Sequence, residues 1–431
     1  MQRRLSRHQF RNALRKGLGR AVLHARSFGL RRMEPEITSA LRRRLAYDAQ
    51  CEQGRGRFLW TVIQAAKAES QFRPIVAKEL VTGGERDCYV TAQLCELAGR
   101  YAAWGDAGIK EALYTLFERS LATRDLLGEK EILDADGLEG YERMARAIGR
   151  RTRSRQAVCD YCAEFVFESV RKADRRKARS ILRRKDADLA AFKKLLAIQS
   201  GRRKRHKLLK PPSWNQVRAE IERGGSRAIS FARRYGKVAS MADRAAALDY
   251  ALAQTDPERA AKALSVFQTS RLPRYDPRLR VLATSRNRRL QGRAFAALAT
   301  LSHPEVRSLA LESLRRPRLS TAGGLSLFTK NYRDEDGVRI TRAIAMLKSE
   351  ESSHTAALDL RDVAGRECPR SLALAVIRAC IQSPCGLCRS GLFKSLCAAR
   401  AVPSWMIREF LFDTDEDTRL LASRASKQRQ R

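Results

Sequence analysis

Arg307-Ser308-Leu309-Ala310-Leu311 recurs verbatim as Arg370-Ser371-Leu372-Ala373-Leu374, 63 residues further along the chain. Between the copies Val338-Arg339 opens another helical stretch, 32 residues after Arg307 and 31 before Arg370. Each arginine follows a cluster suited to a turn and a helix start: His303-Pro304-Glu305-Val306, Asp334-Glu335-Asp336-Gly337-Val338 and Glu367-Cys368-Pro369. Weaker copies are Asp256-Pro257-Glu258-Arg259, Asp276-Pro277-Arg278-Leu279-Arg280 and Asp415-Glu416-Asp417-Thr418-Arg419. Asp and Pro fit a first helical turn, where free amides favour negative charge and a missing amide costs nothing. The arginine of each copy is then placed to hydrogen-bond a neighbouring turn, while the Leu and Ala positions pack repeat on repeat.

Upstream the same helical period continues. Ile37, Leu41 and Leu45, then Phe58, Val62 and Ile63, then Val76 and Leu80 recur at three or four residues, with breaks expected at Gly54, Arg73-Pro74, Gly83-Gly84 and Gly105. No alternating strand pattern occurs, so the expected fold class is all-α. The second half resembles the HEAT-repeat family, in which a turn followed by Asp/Pro-x-Val-Arg-x-x-Ala opens one helix of each pair. The match is best at Pro304-Glu305-Val306-Arg307-Ser308-Leu309-Ala310 and at Asp417-Thr418-Arg419-Leu420-Leu421-Ala422, and covers about residues 240–425. The resemblance implies an α-solenoid of stacked antiparallel helix pairs with a concave binding face. It implies no chemistry, since such folds usually scaffold.

Charge divides the chain. With 86 Lys and Arg against 47 Asp and Glu, the net charge is +39, the mark of a protein that lives beside a polyanion. Residues 1–33 carry +10 with no acid, 34–149 carry −3, 150–210 carry +15 and 211–431 carry +17. We take these as a basic N-terminal helical arm, a slightly acidic helical module, a segment of basic helices and linker, and the HEAT-like array. In the arm, Phe10, Leu14 and Leu18 line one helical face beside Arg7, Arg11 and Arg15, which reads as a solvated tail able to dock on polyanion. An organellar presequence shares that composition.

The expected contact set is Arg3, Arg7, Arg11 and Arg15 in the arm, and two clusters beyond residue 170. Arg171, Arg175, Arg179 and Arg183, four apart, form one ridge if they share a helix, with Lys172, Arg176 and Arg184 adjoining. Arg202, Arg203, Lys204, Arg205 and Lys207 form a run expected to be an exposed loop before Pro211-Pro212. Few aromatics interleave, so the expected contacts are to backbone phosphate of duplex or structured nucleic acid, DNA or RNA, rather than to stacked bases. A protein partner for the acidic module is a second expectation. Two rival functions remain open: an adaptor for an acidic protein, and a HEAT-like DNA glycosylase using Asp243 or Asp256 near Tyr250, or Asp334 near Tyr332.

No catalytic residue, cofactor or metal is expected. Zinc needs four ligands, and the two CxxC pairs, Cys159/Cys162 and Cys385/Cys388, lie over 220 residues apart. Cys380 and Cys397 flank the second pair, but small buried cysteines are common in helical cores. His8, His24, His206, His303 and His354 have no partner at ligand spacing in sequence, and Asp134-x-Asp136 lacks the glycine and glutamate of a calcium loop. Ten scattered cysteines without an apolar leader point to free thiols in the cytoplasm, and no apolar run is long enough to span a bilayer. Core packing is expected for at least three of Trp60, Trp104, Trp214 and Trp405.

Overall fold

A computed structural model describes residues 4–430 apart from 50, 51, 53, 83–86, 124, 207–209, 317–322, 366 and 367, and only the backbone of 202–206. The described residues form helices and turns, with no strand. They divide into two compact units: Met1–Leu209 with Arg408–Arg419, and Lys210–Ile407 with Leu420–Arg431.

The first unit contains α1 (Arg7–Lys16), α2 (Arg20–Phe28), α3 (Glu34–Leu41), α4 (Arg55–Ala65), α5 (Glu69–Thr82), α6 (Cys88–Ala103), α7 (Ala107–Ser120), α8 (Glu129–Arg153), α9 (Cys162–Ser169), α10 (Arg175–Ile181) and α11 (Ala187–His206). Helix α1 starts on a capping box, in which Ser6 accepts from the Gln9 amide while the Gln9 side chain accepts from the Ser6 amide. It stops at Gly17, whose φ of 66° only glycine adopts cheaply. The apolar face read from the sequence is buried: Phe10, Leu14 and Leu18 join Val22, Leu30 and Ile37 in one core with α4 to α11.

The first 33 residues are therefore helical but not a solvated tail. Residues 408–419 pack on the same helices. The Thr414 amide donates to the Gly17 carbonyl at 3.0 Å, and Arg20 holds the Glu409 carboxylate through two hydrogen bonds of 2.7 and 3.0 Å. A Cβ at Gly19 would lie 1.9 Å from the Glu409 carbonyl oxygen, so glycine permits this backbone approach. Burying nine-residue α2 between core and returning chain stabilises it far more than its short length could.

Two local expectations are corrected here. Helix α5 runs through Pro74, which sits in its second turn and removes one amide without ending the helix. Of the tryptophans only Trp60 is buried; Trp214 is half-buried against Tyr235 and Tyr250, while Trp104 and Trp405 are exposed. Trp104 follows the last turn of α6 and meets Trp60 edge-on, with ring centroids 6.1 Å apart, leaving its far face to solvent.

The second unit contains α12 (Trp214–Glu222), α13 (Ala228–Gly236), α14 (Met241–Leu252), α15 (Pro257–Leu264), α16 (Arg278–Ala283), α17 (Arg288–Leu298), α18 (Pro304–Arg315), α19 (Asp336–Ala345), α20 (Glu350–Ala364), α21 (Ala373–Gln382) and α22 (Gly386–Ala398). Helices α23 (Ser404–Phe410) and α24 (Glu416–Gln430) follow. Asp256 caps α15 and Pro257 and Pro304 open α15 and α18, as the turn clusters predict. Polar links repeat at a near-constant step: Leu272 to Thr300, Arg280 to Glu312, Arg289 to Glu258, His303 to Asn331 and Arg307 to Asp336 span 28 to 32 residues.

Leu309 and Leu372, the middle residues of the repeated pentapeptide, are both buried. Their arginines are not equivalent. Arg307 lies in the second turn of α18 and donates to the Asn331 carbonyl at 2.7 Å and to Asp336 at 2.6 Å, which is the contact with a neighbouring turn expected of it. Arg370 begins a 3₁₀ turn (Arg370–Leu372) ahead of α21 and is exposed. Its neighbour Ser371 reaches the same 331–337 turn, bonding the Tyr332 hydroxyl at 2.8 Å and Asp334 at 2.7 Å. The two copies thus hold one turn in different ways.

Candidate nucleic-acid interface

The basic segment 150–210 is built into the end of α8 and into α9 to α11. Helix α8 kinks at Gly137 and ends in Arg150, Arg151 and Arg153. At Gly149 its backbone meets the start of α11, where a Cβ would lie 1.9 Å from the Asp188 carbonyl oxygen. Leu189, Phe192 and Gln199 bury one side of α11, and Gln199 donates to the Cys159 carbonyl at 3.3 Å while accepting from the Glu164 amide at 3.1 Å. Asp186 caps α11, accepting from the Asp188 and Leu189 amides at 2.9 Å each. The Leu189 amide foremost, then Arg146 and last the Asp188 amide, hold its carboxyl below the usual carboxylate range.

The single ridge expected from Arg171, Arg175, Arg179 and Arg183 is corrected by this geometry. Helix α9 ends at Ser169, Val170 and Arg171 are extended, a 3₁₀ turn (Lys172–Asp174) intervenes, and α10 ends at Ile181. Only Arg175 and Arg179 share a helix. Arg175 explains why the break is stable, because its guanidinium donates to the Glu168 carbonyl at 2.9 Å and the Val170 carbonyl at 3.3 Å, groups that a continuing helix would have used. Arg171 lines a mixed-charge pocket of about 190 Å³ with Arg57, Arg100, Glu96, Glu131 and Asp134. Arg179 lies over the Phe167 ring, 5.6 Å from its centroid. Arg184 is paired with Glu142 at 2.5 Å, and Glu142 also takes Arg146 at 2.8 Å.

Lys172, Arg176 and Arg183 remain exposed with no acidic partner among the described residues. The structure adds Lys193 and Lys194, which segment charge counts did not single out. They sit on α11 with Ala190 and Ala197 at positions i, i+3, i+4 and i+7, so the four share one face. That face and Leu182, Arg183 and Arg184 form an open groove of about 590 Å³. Leu182, Ala190, Ala197 and the four cations Arg183, Arg184, Lys193 and Lys194 line it. The acids that lie between these residues in sequence are already engaged, Asp186 by Arg146 and Asp188 by Arg153 at 2.7 Å. Among the described residues no aromatic side chain lines it. Such a site suits phosphate oxygens and offers nothing for base stacking.

The run Arg202, Arg203, Lys204, Arg205 is the last stretch of α11 rather than a loop, which corrects the expectation. Arg and Lys are good helix formers, and cations suit a helix C-terminus. Lys207 lies outside the described residues, as does Arg3. In the first helix, Arg7 and Arg11 both pair with Glu36, at 2.5 and 2.6 Å. Arg11 above all, then Arg7, draws the Glu36 carboxyl below its usual range despite burial. Arg15 is exposed, and its carbonyl accepts from the buried Arg55 at 3.2 Å. The arm cations and the 171–205 set lie on helices packed against different neighbours, α2 and α3 for α1, α8 and α9 for α11.

The carboxylates considered for glycosylase chemistry are engaged in local structure. Asp243 closes the Ser240 capping box, Asp256 accepts from the Glu258 amide at 2.9 Å, and Asp334 accepts from Ser371 at 2.7 Å. The acidic stretch near Gly137 behaves likewise, with Asp136 accepting from Lys110 at 3.0 Å and Tyr114 at 2.8 Å. Burial, with Glu129 beside it, pushes Glu131 up to about 7. Among the described residues no helix is long and apolar enough to cross a membrane. The sequence matches no protein-family model and no curated protein.

Proposed function

We propose that this chain is a non-enzymatic, HEAT-like scaffold that holds nucleic-acid backbone on the basic surface of α9 to α11. The observation that carries the proposal is the groove rimmed by Arg183, Arg184, Lys193 and Lys194, whose neighbouring acids are already paired. Cations left exposed in this way repel one another, and a polyanion relieves that repulsion while releasing its own counterions. The HEAT-like part of the reading is supported by the 28- to 32-residue step of polar links in the second unit, the step expected where helix pairs stack on one another. The engagement of Asp243, Asp256 and Asp334 in caps and turns favours a scaffold over a glycosylase.

The test is equilibrium binding of the full chain to a duplex of arbitrary sequence across a salt series. Each phosphate contact adds about 0.9 to the slope of log K against log salt on B-DNA. Binding at low salt with a slope steeper than about −3, and little dependence on sequence, is expected. Absent or salt-insensitive binding refutes the reading and leaves the adaptor for an acidic protein in its place.

A further inference from the structure

We infer that His354, Cys385 and Cys388 form a zinc-binding site that ties α20 to α22. The three side chains bring an imidazole nitrogen and two sulfurs within 4.8 Å of one another. The Cys388 Sγ lies 3.5 Å from His354 Nδ1. A tetrahedral zinc ion with Zn–S of about 2.3 Å and Zn–N of about 2.05 Å holds those atoms about 3.5–3.6 Å apart and two sulfurs about 3.8 Å apart. Thiolate with imidazole is also the donor set that selects zinc over harder cations.

The local fold presents both sulfurs together. Cys385 is the N-cap of α22 and Cys388 its third residue, so the pair spans the first helical turn, where the helix dipole favours thiolate. Ser383 fixes the approach, its hydroxyl accepting from the Cys385 amide at 3.3 Å and donating to the Cys385 carbonyl at 3.2 Å. Arg389, directly after Cys388, is fully buried and donates to the Ser383 carbonyl at 3.3 Å. A permanent cation against this turn further favours the thiolate forms that a metal needs. Neither cysteine is in a disulfide, and both are buried. His354 is half-buried, and with three protein donors a fourth ligand would have to come from water or another solute.

The other CxxC pair serves as an internal control. Cys159 and Cys162 are also buried and outside any disulfide, but among the described residues no third donor gathers with them. Burial pushes the Cys162 thiol up to about 11.

The experiment measures zinc in the full chain purified without chelator, and the absorption of cobalt added to the metal-free chain. About one equivalent of zinc and the ligand-field bands of tetrahedral, thiolate-bound cobalt are expected. His354→Ala and Cys388→Ser should each weaken zinc binding by more than about 10-fold, whereas the double variant Cys159→Ser/Cys162→Ser should bind as the parent does. His354→Cys supplies a third sulfur and should restore binding, which separates ligand loss from misfolding. A reduced chain that takes up no zinc and gives no cobalt bands, or zinc content that survives His354→Ala, overturns the site and leaves a thiol–imidazole hydrogen bond. This test is independent of nucleic-acid binding, and either can fail alone.

Discussion

Changing Arg176, Arg183, Lys193 and Lys194 together to Gln lowers duplex affinity on the order of 10³-fold at about 0.1 M monovalent salt, and flattens the salt slope by about 3–4. The size follows from counterion release: four lost phosphate contacts remove about 3.6 powers of the salt concentration. The fold should not follow the affinity down. All four side chains are exposed and none has an acidic partner among the described residues, so the melting midpoint should hold or rise slightly as like charges are removed. Arg175 is left out of the set because its guanidinium holds the end of α9, and Arg184 because it is already paired with Glu142. Retained affinity with an unchanged slope would move the contact surface away from α10 and α11.

Asp336→Ala destabilises the second unit by about 3–5 kcal/mol, read from urea unfolding of the full chain. Asp336 is fully buried and accepts from Arg307 at 2.6 and 3.2 Å and from the Arg333 amide at 2.9 Å. Removing it leaves the Arg307 guanidinium, only 14% exposed, without its buried partner. Glu335, 3.0 Å away, still reaches Arg307 from the surface, which places the expected loss toward the lower end of the range. Ser308→Ala is the control, an exposed position where the change should stay within about 0.5 kcal/mol. Replacing Arg307 and Asp336 together by Met and Leu should recover much of the loss, because a buried pair contributes less than its broken half costs. A loss below about 1 kcal/mol for Asp336→Ala would mean that the pair does not hold the turn.

Helical period and turn chemistry were legible in the sequence. The buried face of α1, the starts of α15 and α18, and the reach of Arg307 into the next turn all follow from residue type and spacing. The continuous arginine ridge did not survive, for an identifiable reason. An i, i+4 pattern records which side chains would align if a helix continued; it does not record that Arg175 can cap the carbonyls of Glu168 and Val170 and stabilise a break. Counting charge by segment likewise assigned Glu36 to the acidic module, whereas packing places it between Arg7 and Arg11. Nothing in the spacing of Lys193 and Lys194 marks them, because the groove needs Arg183 and Arg184 from the turn between α10 and α11. His354 stands 31 residues before Cys385, a distance bridged only once α20 packs on α22.

Lysine reactivity reports directly where the backbone of a bound nucleic acid lies. The full chain is labelled with an amine-specific reagent, with and without a saturating duplex at low salt, and each lysine is quantified by peptide mass spectrometry. Lys172, Lys193 and Lys194 should be protected, while Lys130 and Lys348, exposed outside the proposed surface, should react as before. Unchanged labelling of Lys193 and Lys194 in a chain that has bound the duplex would contradict the account.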